Sequence, residues 1–244
     1  MSASILILGA RSDIARACAQ EYARHGYDVR LAARDPADVQ ADATDIALRH
    51  GVSATTHAFD ALQIEAFAAF ADRLPELPDV VLCAVGFMGE QAGSQSDARA
   101  ASVVLRSNFE GPALFMGLMA ERFNARSHGT LIGISSVAGD RGRASNYVYG
   151  AAKAGFTAFL SGLRNRFARS AIKVITVKPG FVATRMTEGM DLNPRLTASP
   201  EEVAQAIWQA QAKGRDVVYV KPIWKLVMTI IRTLPEFVFK RTRL

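Results

Sequence analysis

The sequence predicts an α/β chain, a parallel sheet of about seven strands with helices on both faces. Three observations point there. Short apolar runs alternate with helix-period segments from residue 4 to residue 220. Those runs lack polar alternation, as strands buried on both faces do. The 244 residues, half of them hydrophobic, are enough for one large core. No repeat, low-complexity stretch or linker divides the chain, so residues 1–222 read as a single domain and 223–244 as a tail.

The first run, SILILG at 4–9, reads as a buried strand ending in Gly9. Ala10, Arg11, Ser12 and Asp13 lead into a helical pattern with apolar residues at Ile14, Ala17, Cys18 and Tyr22, and Gly26 stops it. A helix opening there offers unpaired N–H groups to a phosphate. As a glycine fingerprint the turn is degraded, because the later glycine positions carry Asp13 and Ala15. The second strand is Asp28–Ala33. In dinucleotide folds an acid near this strand's end holds the ribose 2′-hydroxyl, whereas an arginine accommodates a 2′-phosphate. Arg34 follows Ala33 directly, and Asp35 before Pro36 suits a helix cap. This favours NADP(H) over NAD(H), the plain alternative being a solvated Arg34.

Residues 37–50 read as helix, 53–58 as strand with Asp60 just beyond, and 61–73 as helix. PDVVLCAVG is a buried strand with Gly86 in the following turn. Residues 97–124 read as one long helix with Asn108 in its middle, where asparagine is mildly unfavourable. Gly111-Pro112 predicts a kink. HGTLIGISS is the next strand, and it places Ser135 and Ser136 at the carboxyl end, where open α/β sheets bind ligands. A helix over 147–169 and the strand IKVITVKPG follow, the latter ending at Pro179-Gly180. The polar segment FVATRMTEGMDLNPRLTA reads as a lid. Ser199-Pro200-Glu201-Glu202 opens a helix with an N-cap, a first-position proline and first-turn acids. DVVYV is the last strand.

The chemistry gathers at 136–153. Tyr149 and Lys153 are four apart and share a helix face. A lysine cation beside a phenol favours the phenolate and lowers the tyrosine pKa. Such a phenol can give a proton to a carbonyl oxygen or take one from an alcohol. Ser136, thirteen residues before the tyrosine, can hold the same oxygen. This set interconverts a ketone and a secondary alcohol when a cofactor carries the hydride. Tyr147 has no lysine four residues on.

Other classes are disfavoured. Cys18 and Cys83 lie in apolar patterns and give no disulfide framework, which suits a reduced, cytoplasmic chain. Of four scattered histidines, His25 and His50 each precede a glycine at a helix end, which is C-cap chemistry, so no metal site is expected. The start MSASILILGA lacks a basic n-region, so no signal peptide is expected, and no apolar run has the length of a membrane span. The formal net charge is +6, but residues 221–244 hold six basic side chains (Lys221, Lys225, Arg232, Lys240, Arg241, Arg243) against Glu236 alone. The body is therefore near neutral and shows no basic, aromatic-rich face for nucleic acid. As a helix, 223–234 puts Lys225, Thr229, Arg232 and Thr233 on a narrow stripe in an apolar surround. That suits the surface of an anionic bilayer, at the inner face of the membrane. It equally suits packing on the chain's own core or on a second subunit.

Together these features resemble the short-chain dehydrogenase/reductase family over roughly residues 3–222. The most specific element is Tyr149-x-x-x-Lys153 with Ser136 in register before it. The resemblance implies a Rossmann-like, doubly wound single domain and a homodimer or homotetramer. It implies Tyr149 as general acid/base, Ser136 polarising the carbonyl, Lys153 lowering the tyrosine pKa and binding the nicotinamide ribose, and Asn108 supporting a water-mediated proton path. It implies Asp60 at the adenine, and Pro179, Gly180, Val182 and Thr184 in the segment that meets the nicotinamide carboxamide. Gly9, Arg11, Ser12, Asp13, Ile14, Arg34, Ala84, Val85 and Gly86 complete the implied cofactor site, with Tyr149 and Lys153.

Two departures stand out. The usual TGxxxGxG is Leu8-Gly9-Ala-Arg-Ser-Asp13-Ile14-Ala15, and the usual NNAG is Cys83-Ala84-Val85-Gly86. The charge of Asp13 opposes phosphates unless it points away or pairs with Arg11. Both departures, and the ending VVYVKPIWKLVMTIIRTLP, resemble a subgroup similar to decaprenylphosphoryl-2-keto-ribose reductase, which reduces a keto-pentose carried on polyprenyl phosphate. A small ketone, a steroid and a 3-oxoacyl thioester are the other substrates weighed. From another class, the degraded glycine turn alone suits a non-catalytic dinucleotide-binding sensor or scaffold.

Overall fold

A computed structural model describes residues 2–242; Arg243, one of the tail's basic residues, lies outside them. In chain order the elements are β1 (Ser4–Leu8), α1 (Asp13–Arg24), β2 (Asp28–Ala33), α2 (Gln40–His50), β3 (Ala54–Ala58), α3 (Phe67–Asp72) and β4 (Val80–Cys83). There follow α4 (Gln91–Ser96), α5 (Ala98–Leu105), α6 (Gly111–Arg126), β5 (His128–Ile134), α7 (Tyr147–Arg166), β6 (Ala171–Pro179), β7 (Phe181–Val182) and β8 (Thr197–Ala198). The chain closes with α8 (Pro200–Ala212), β9 (Val217–Val220), α9 (Ile223–Thr233) and α10 (Glu236–Phe239).

Seven strands pair in the order β3-β2-β1-β4-β5-β6-β9, every pair parallel. Alternate side chains of β1 serve opposite layers, as the strand period requires. Ile5 and Ile7 enter the core shared with α1, α2 and α8, while Leu6 and Leu8 enter the core shared with α3, α6 and α7. The order reverses between β1 and β4, and the crevice at such a switch point is where these sheets bind ligands. The two strands end in register, Leu8 opposite Cys83. At that edge Gly9 adopts φ +77°, and a Cβ there would lie 2.8 Å from the Val85 nitrogen. Gly9 is therefore required by its left-handed backbone and by the neighbouring chain.

The region expected as one helix over 97–124 is built differently. The short helix α4 precedes it, and α5 passes through a π-helical turn, Arg106–Glu110, into α6. Pro112 has no N–H to give the Asn108 carbonyl four residues back, so the helix widens there. The 181–198 segment, expected as a plain loop, pairs β7 with β8 in a small parallel sheet of its own.

The tail packs on the body by one face. Trp224, Met228 and Ile231, one helical stripe, are buried with Val137. Arg141 holds the end of α9, donating to the Ile231 and Leu234 carbonyls at 2.6 Å each and to Glu236 at 2.8 Å. Its guanidinium also lies 3.8 Å from the centre of the Phe239 ring. A cation at the carboxyl end of a helix is favourably placed. Among the described residues, no helix is long and apolar enough to cross a membrane.

Trp224 lies so close to the end of β6 that a Cβ on Gly180 would fall 2.0 Å from its indole nitrogen. Overpacking of this kind costs about 1–3 kcal/mol. Gly180→Ala is expected to lower the melting temperature and to loosen α9, read by differential scanning calorimetry and by tryptophan emission. An unchanged melt and spectrum would mean that Trp224 does not pack here.

Candidate active site

The β5–α7 junction positions the reacting groups. β5 ends at Ile134, and Ser135 continues the pairing by donating its N–H to the Val177 carbonyl at 2.8 Å. The Ser135 hydroxyl donates to the carbonyl of Lys153 at 3.0 Å and lies 2.6 Å from the Thr157 hydroxyl. This ties the middle of α7 to the end of β5. Ser135 is thus a positioning residue, one that the sequence pattern marked only as a strand end.

Lys153 is 3% exposed and donates to the Ile134 carbonyl at 3.0 Å. Burial disfavours its charged form and lowers its pKa to about 8. Its Nζ lies 5.7 Å from the centre of the Tyr149 ring. Tyr149 is partly exposed as a residue, but desolvation pushes its phenol up to about 12, opposed by the nearby Ser136 hydroxyl. The expected lowering by the lysine is therefore not the dominant influence here, because the ammonium faces the Ile134 carbonyl. Ser136 accepts the Ala138 N–H at 3.1 Å, which leaves its own proton to give. Tyr147, at the start of α7, is exposed and stands outside this grouping.

Asn108 lies fully buried in the π turn. Its amide donates to the carbonyls of Phe87 at 2.6 Å and Val104 at 2.8 Å, and its oxygen accepts the Phe87 N–H at 3.2 Å. Both donors are spent, so the side chain clamps the loop after β4 to the helix beside Lys153. A Cβ on Gly86 would meet the Asn108 oxygen at 3.3 Å and come 3.7 Å from the Lys153 nitrogen, with Met186 of the lid next nearest.

The donor set suits a dinucleotide. Lys153 Nζ carries three protons and gives one to Ile134. Ser12, the N-cap of α1, does not use its side chain as a cap. Arg34 is exposed and makes no ion pair or side-chain hydrogen bond among the described residues. Asp35 caps the turn Pro36–Val39 by accepting the Ala37 N–H at 2.9 Å, as its position before the proline suggested. Ala84, Val85 and Gly86 line the crevice edge beside Gly9, with Ala84 N–H bonded to the Leu8 carbonyl at 2.9 Å. Ile14 is half-buried in the first turn of α1. Asp60, beyond β3, accepts the Leu62 N–H at 2.9 Å. Pro179 ends β6 and Gly180 follows it, Val182 is buried in β7, and Thr184 opens the lid turn.

Asp13 does not pair with Arg11. Arg11 reaches Asp38 at 3.0 Å, and Asp13 instead binds Arg185 of the lid. Arg185 came from a segment whose polarity gave no sign of a partner, so sequence reasoning missed it.

A profile of the family described as short chain dehydrogenase matches residues 3–195. An uncharacterized oxidoreductase of Mycobacterium tuberculosis H37Rv is 32% identical over 243 residues, covering 98% of this chain and 97% of that protein. An uncharacterized oxidoreductase of Streptomyces coelicolor is 35% identical over 242 residues, covering 98% and 95%. Among solved structures, a short-chain dehydrogenase from Sphingobium yanoikuyae in complex with NADPH superposes with a TM-score of 0.82, covering 96% and 97%, at 23% identity.

The buried lysine has a cost in stability. Its folded pKa, about 8, lies below its ordinary value of 10.5, so the folded chain holds fewer protons between these values and stability rises with pH across that window. Lys153→Met is expected to stabilise the apoprotein at pH 7 by about 1–3 kcal/mol, net of one lost hydrogen bond. The gain shrinks towards pH 10. Urea denaturation at both pH values checks this, and an equal gain at each would contradict it.

Proposed function

Because this chain belongs to the short chain dehydrogenase family, we propose that it interconverts a ketone and a secondary alcohol with Tyr149 as general acid/base. It is an NAD(P)-dependent oxidoreductase. A bound nicotinamide dinucleotide supplies or accepts the hydride. The residues of the chain handle the proton and hold the reacting oxygen.

The observation that carries the reading is the grouping of Ser136, whose hydroxyl acts on the Tyr149 phenol, with Lys153, whose Nζ lies 5.7 Å from the centre of the same ring. In the reductive direction the phenol gives its proton to the carbonyl oxygen. The phenol is protonated at neutral pH, but burial makes it a weaker acid, so the transfer draws on the Ser136 hydroxyl, whose influence opposes that upward shift. Ser136, whose acceptor side is taken by Ala138, donates to the same oxygen as charge develops on it. The two uncommitted protons of Lys153 suit the ribose hydroxyls. Asn108 keeps the loop at Gly86–Phe87 against this group.

We extend the proposal to a preference for NADP(H). The acid nearest the end of β2, Asp35, is occupied as a cap, while Arg34 keeps all its donors. That is the donor chemistry of a 2′-phosphate site rather than a 2′-hydroxyl site.

For the substrate we propose a keto-sugar carried on a lipid, met at an anionic membrane surface. Phe181, Met186 and Met190 are exposed on the lid, and Ile223, Leu226 and Ile230 are exposed on α9. The two sets neighbour one another, since Phe181 packs edge-on against Trp224 at 5.5 Å. Lys225, Lys240 and Arg241 add positive charge, each worth about 1 kcal/mol near such a surface.

Tyr149→Phe is expected to reduce turnover by at least a thousandfold while NADPH affinity, measured by fluorescence titration, stays within about threefold. Full activity in this variant would sink the acid/base assignment, and tighter binding of NADH than NADPH would reverse the cofactor preference.

The intact protein is also expected to co-sediment with phosphatidylglycerol-rich vesicles, and less so as salt rises. Leu226→Asp/Ile230→Asp, two exposed positions, is expected to abolish that binding without changing the melt. Equal sedimentation of this variant would rule out the tail as the contact.

A further inference from the structure

The substitution of Asp13 for a turn glycine places a carboxylate at the first residue of α1, beside the crevice at the switch point. An uncompensated anion there repels a diphosphate. The structure shows what compensates it. The Arg185 backbone N–H donates to Asp13 Oδ2 at 2.9 Å, and its Nε donates to Oδ1 at 3.0 Å. Arg185 Nη2 lies 2.9 Å from the same Oδ1 and also donates to the Arg11 carbonyl. The carboxylate is thus gripped by one residue through backbone and side chain together.

The other cations nearby are engaged elsewhere. Arg11 pairs with Asp38 at 3.0 Å and Arg16 with Asp42 at 2.9 Å. Partial burial tends to raise the Asp13 pKa, but the bonds and charge of Arg185, with help from Arg16, hold it below the ordinary value. Asp13 is therefore ionised at neutral pH, and Arg185 is the cation that faces it. Arg185 Nη1 has no partner among the described residues, and the side chain is 56% exposed. Asp13, Thr184, Arg185 and Glu188 line one groove between the turn and the lid.

We propose that Asp13 and Arg185 form a charge-cancelling pair in which Asp13 holds the guanidinium over the glycine-poor turn and Arg185 offers its free Nη1 edge to the diphosphate of the dinucleotide. The inference rests on the reading that this turn binds a nicotinamide dinucleotide. It assigns a phosphate-binding role to a lid residue and explains how the turn works without its second glycine. The backbone N–H groups at the start of α1 remain, and the arginine supplies a charged donor that glycine turns do not need.

The test is NADPH affinity by isothermal titration calorimetry on the full chain, with melts run in parallel. Wild type is measured first, then Arg185→Gln, Asp13→Asn and the double variant. Arg185→Gln is expected to weaken binding tenfold or more, because it removes the donor and leaves Asp13 facing the phosphates. Adding Asp13→Asn to it is expected to recover at least half of that loss on a logarithmic scale. Arg185→Gln within twofold of wild type overturns the proposal, as does a double variant no better than the single one. Wild-type protein that binds no NADPH overturns the dinucleotide reading itself, a result distinct from either of these.

Discussion

The Lys153 ammonium, taken out of water and given one carbonyl at 3.0 Å, sets the terms for the structure around it. A buried cation is tolerated only where its surroundings are fixed and polar. The end of β5 supplies both conditions. Ile134 accepts from the lysine side chain, and Ser135 donates to the lysine's own carbonyl, so strand and helix hold the residue from two sides. On the third side stands Asn108, its amide spent on Phe87 and Val104. None of these groups has slack, and Tyr149, one helical turn before Lys153, inherits their rigidity. Lys153 Nζ comes 3.7 Å from where a Cβ on Gly86 would lie, beside the loop that follows β4.

This part of the molecule was legible from residue types. Alternation of apolar runs and helix-period segments located all seven strands of the large sheet, and the spacing of Ser136, Tyr149 and Lys153 pointed to the candidate site at the β5–α7 junction. Asp35 as a cap, Ser199 as an N-cap and Gly26 as a stop each follow from local backbone chemistry that a sequence states directly. What stayed hidden depends on contacts between distant segments. The π turn at 106–110 arises because Pro112 withholds a donor from Asn108, and a proline that shifts a hydrogen-bond ladder reads in sequence as a kink. The pairing of β7 with β8 involves two residues from each strand, too few for any periodicity. Asp13 and Arg185 lie 172 residues apart, and Arg11, two positions away, was the nearer candidate until Asp38 was seen to hold it.

The tyrosine shows where local reasoning stopped short. Four-residue spacing brings Lys153 to the same helix face as Tyr149, but it does not say where the long side chain points. In the structure the ammonium turns to Ile134, so burial dominates the phenol and the serine hydroxyl opposes it. The electrostatic pairing thus depends on what else reaches the lysine, a property of the assembled crevice rather than of the motif.

The same logic ties the tail beyond residue 222 to the body, one of the packings that its apolar surround suited. The loop leaving β5 runs from Ser136, against Tyr149, through Val137, buried with Trp224 and Met228, to Asp140 and Arg141. Asp140 is buried in an ion pair with Lys178 of β6 and accepts from the Tyr219 hydroxyl at 2.7 Å. Breaking a buried pair of this kind by removing one partner costs about 3–5 kcal/mol. Arg141, the next residue, closes on the end of α9 and on Glu236. The loop therefore has three fixed points within six residues, one at Ser136, one in the sheet and one on the tail. Contacts at Val137, Asp140 and Arg141 thus link α9 to the residue next to Ser136 without a break. The tail is physically an outer wall of the loop that carries Ser136, and under the role proposed for that hydroxyl whatever rests on the exposed side of α9 bears on its position.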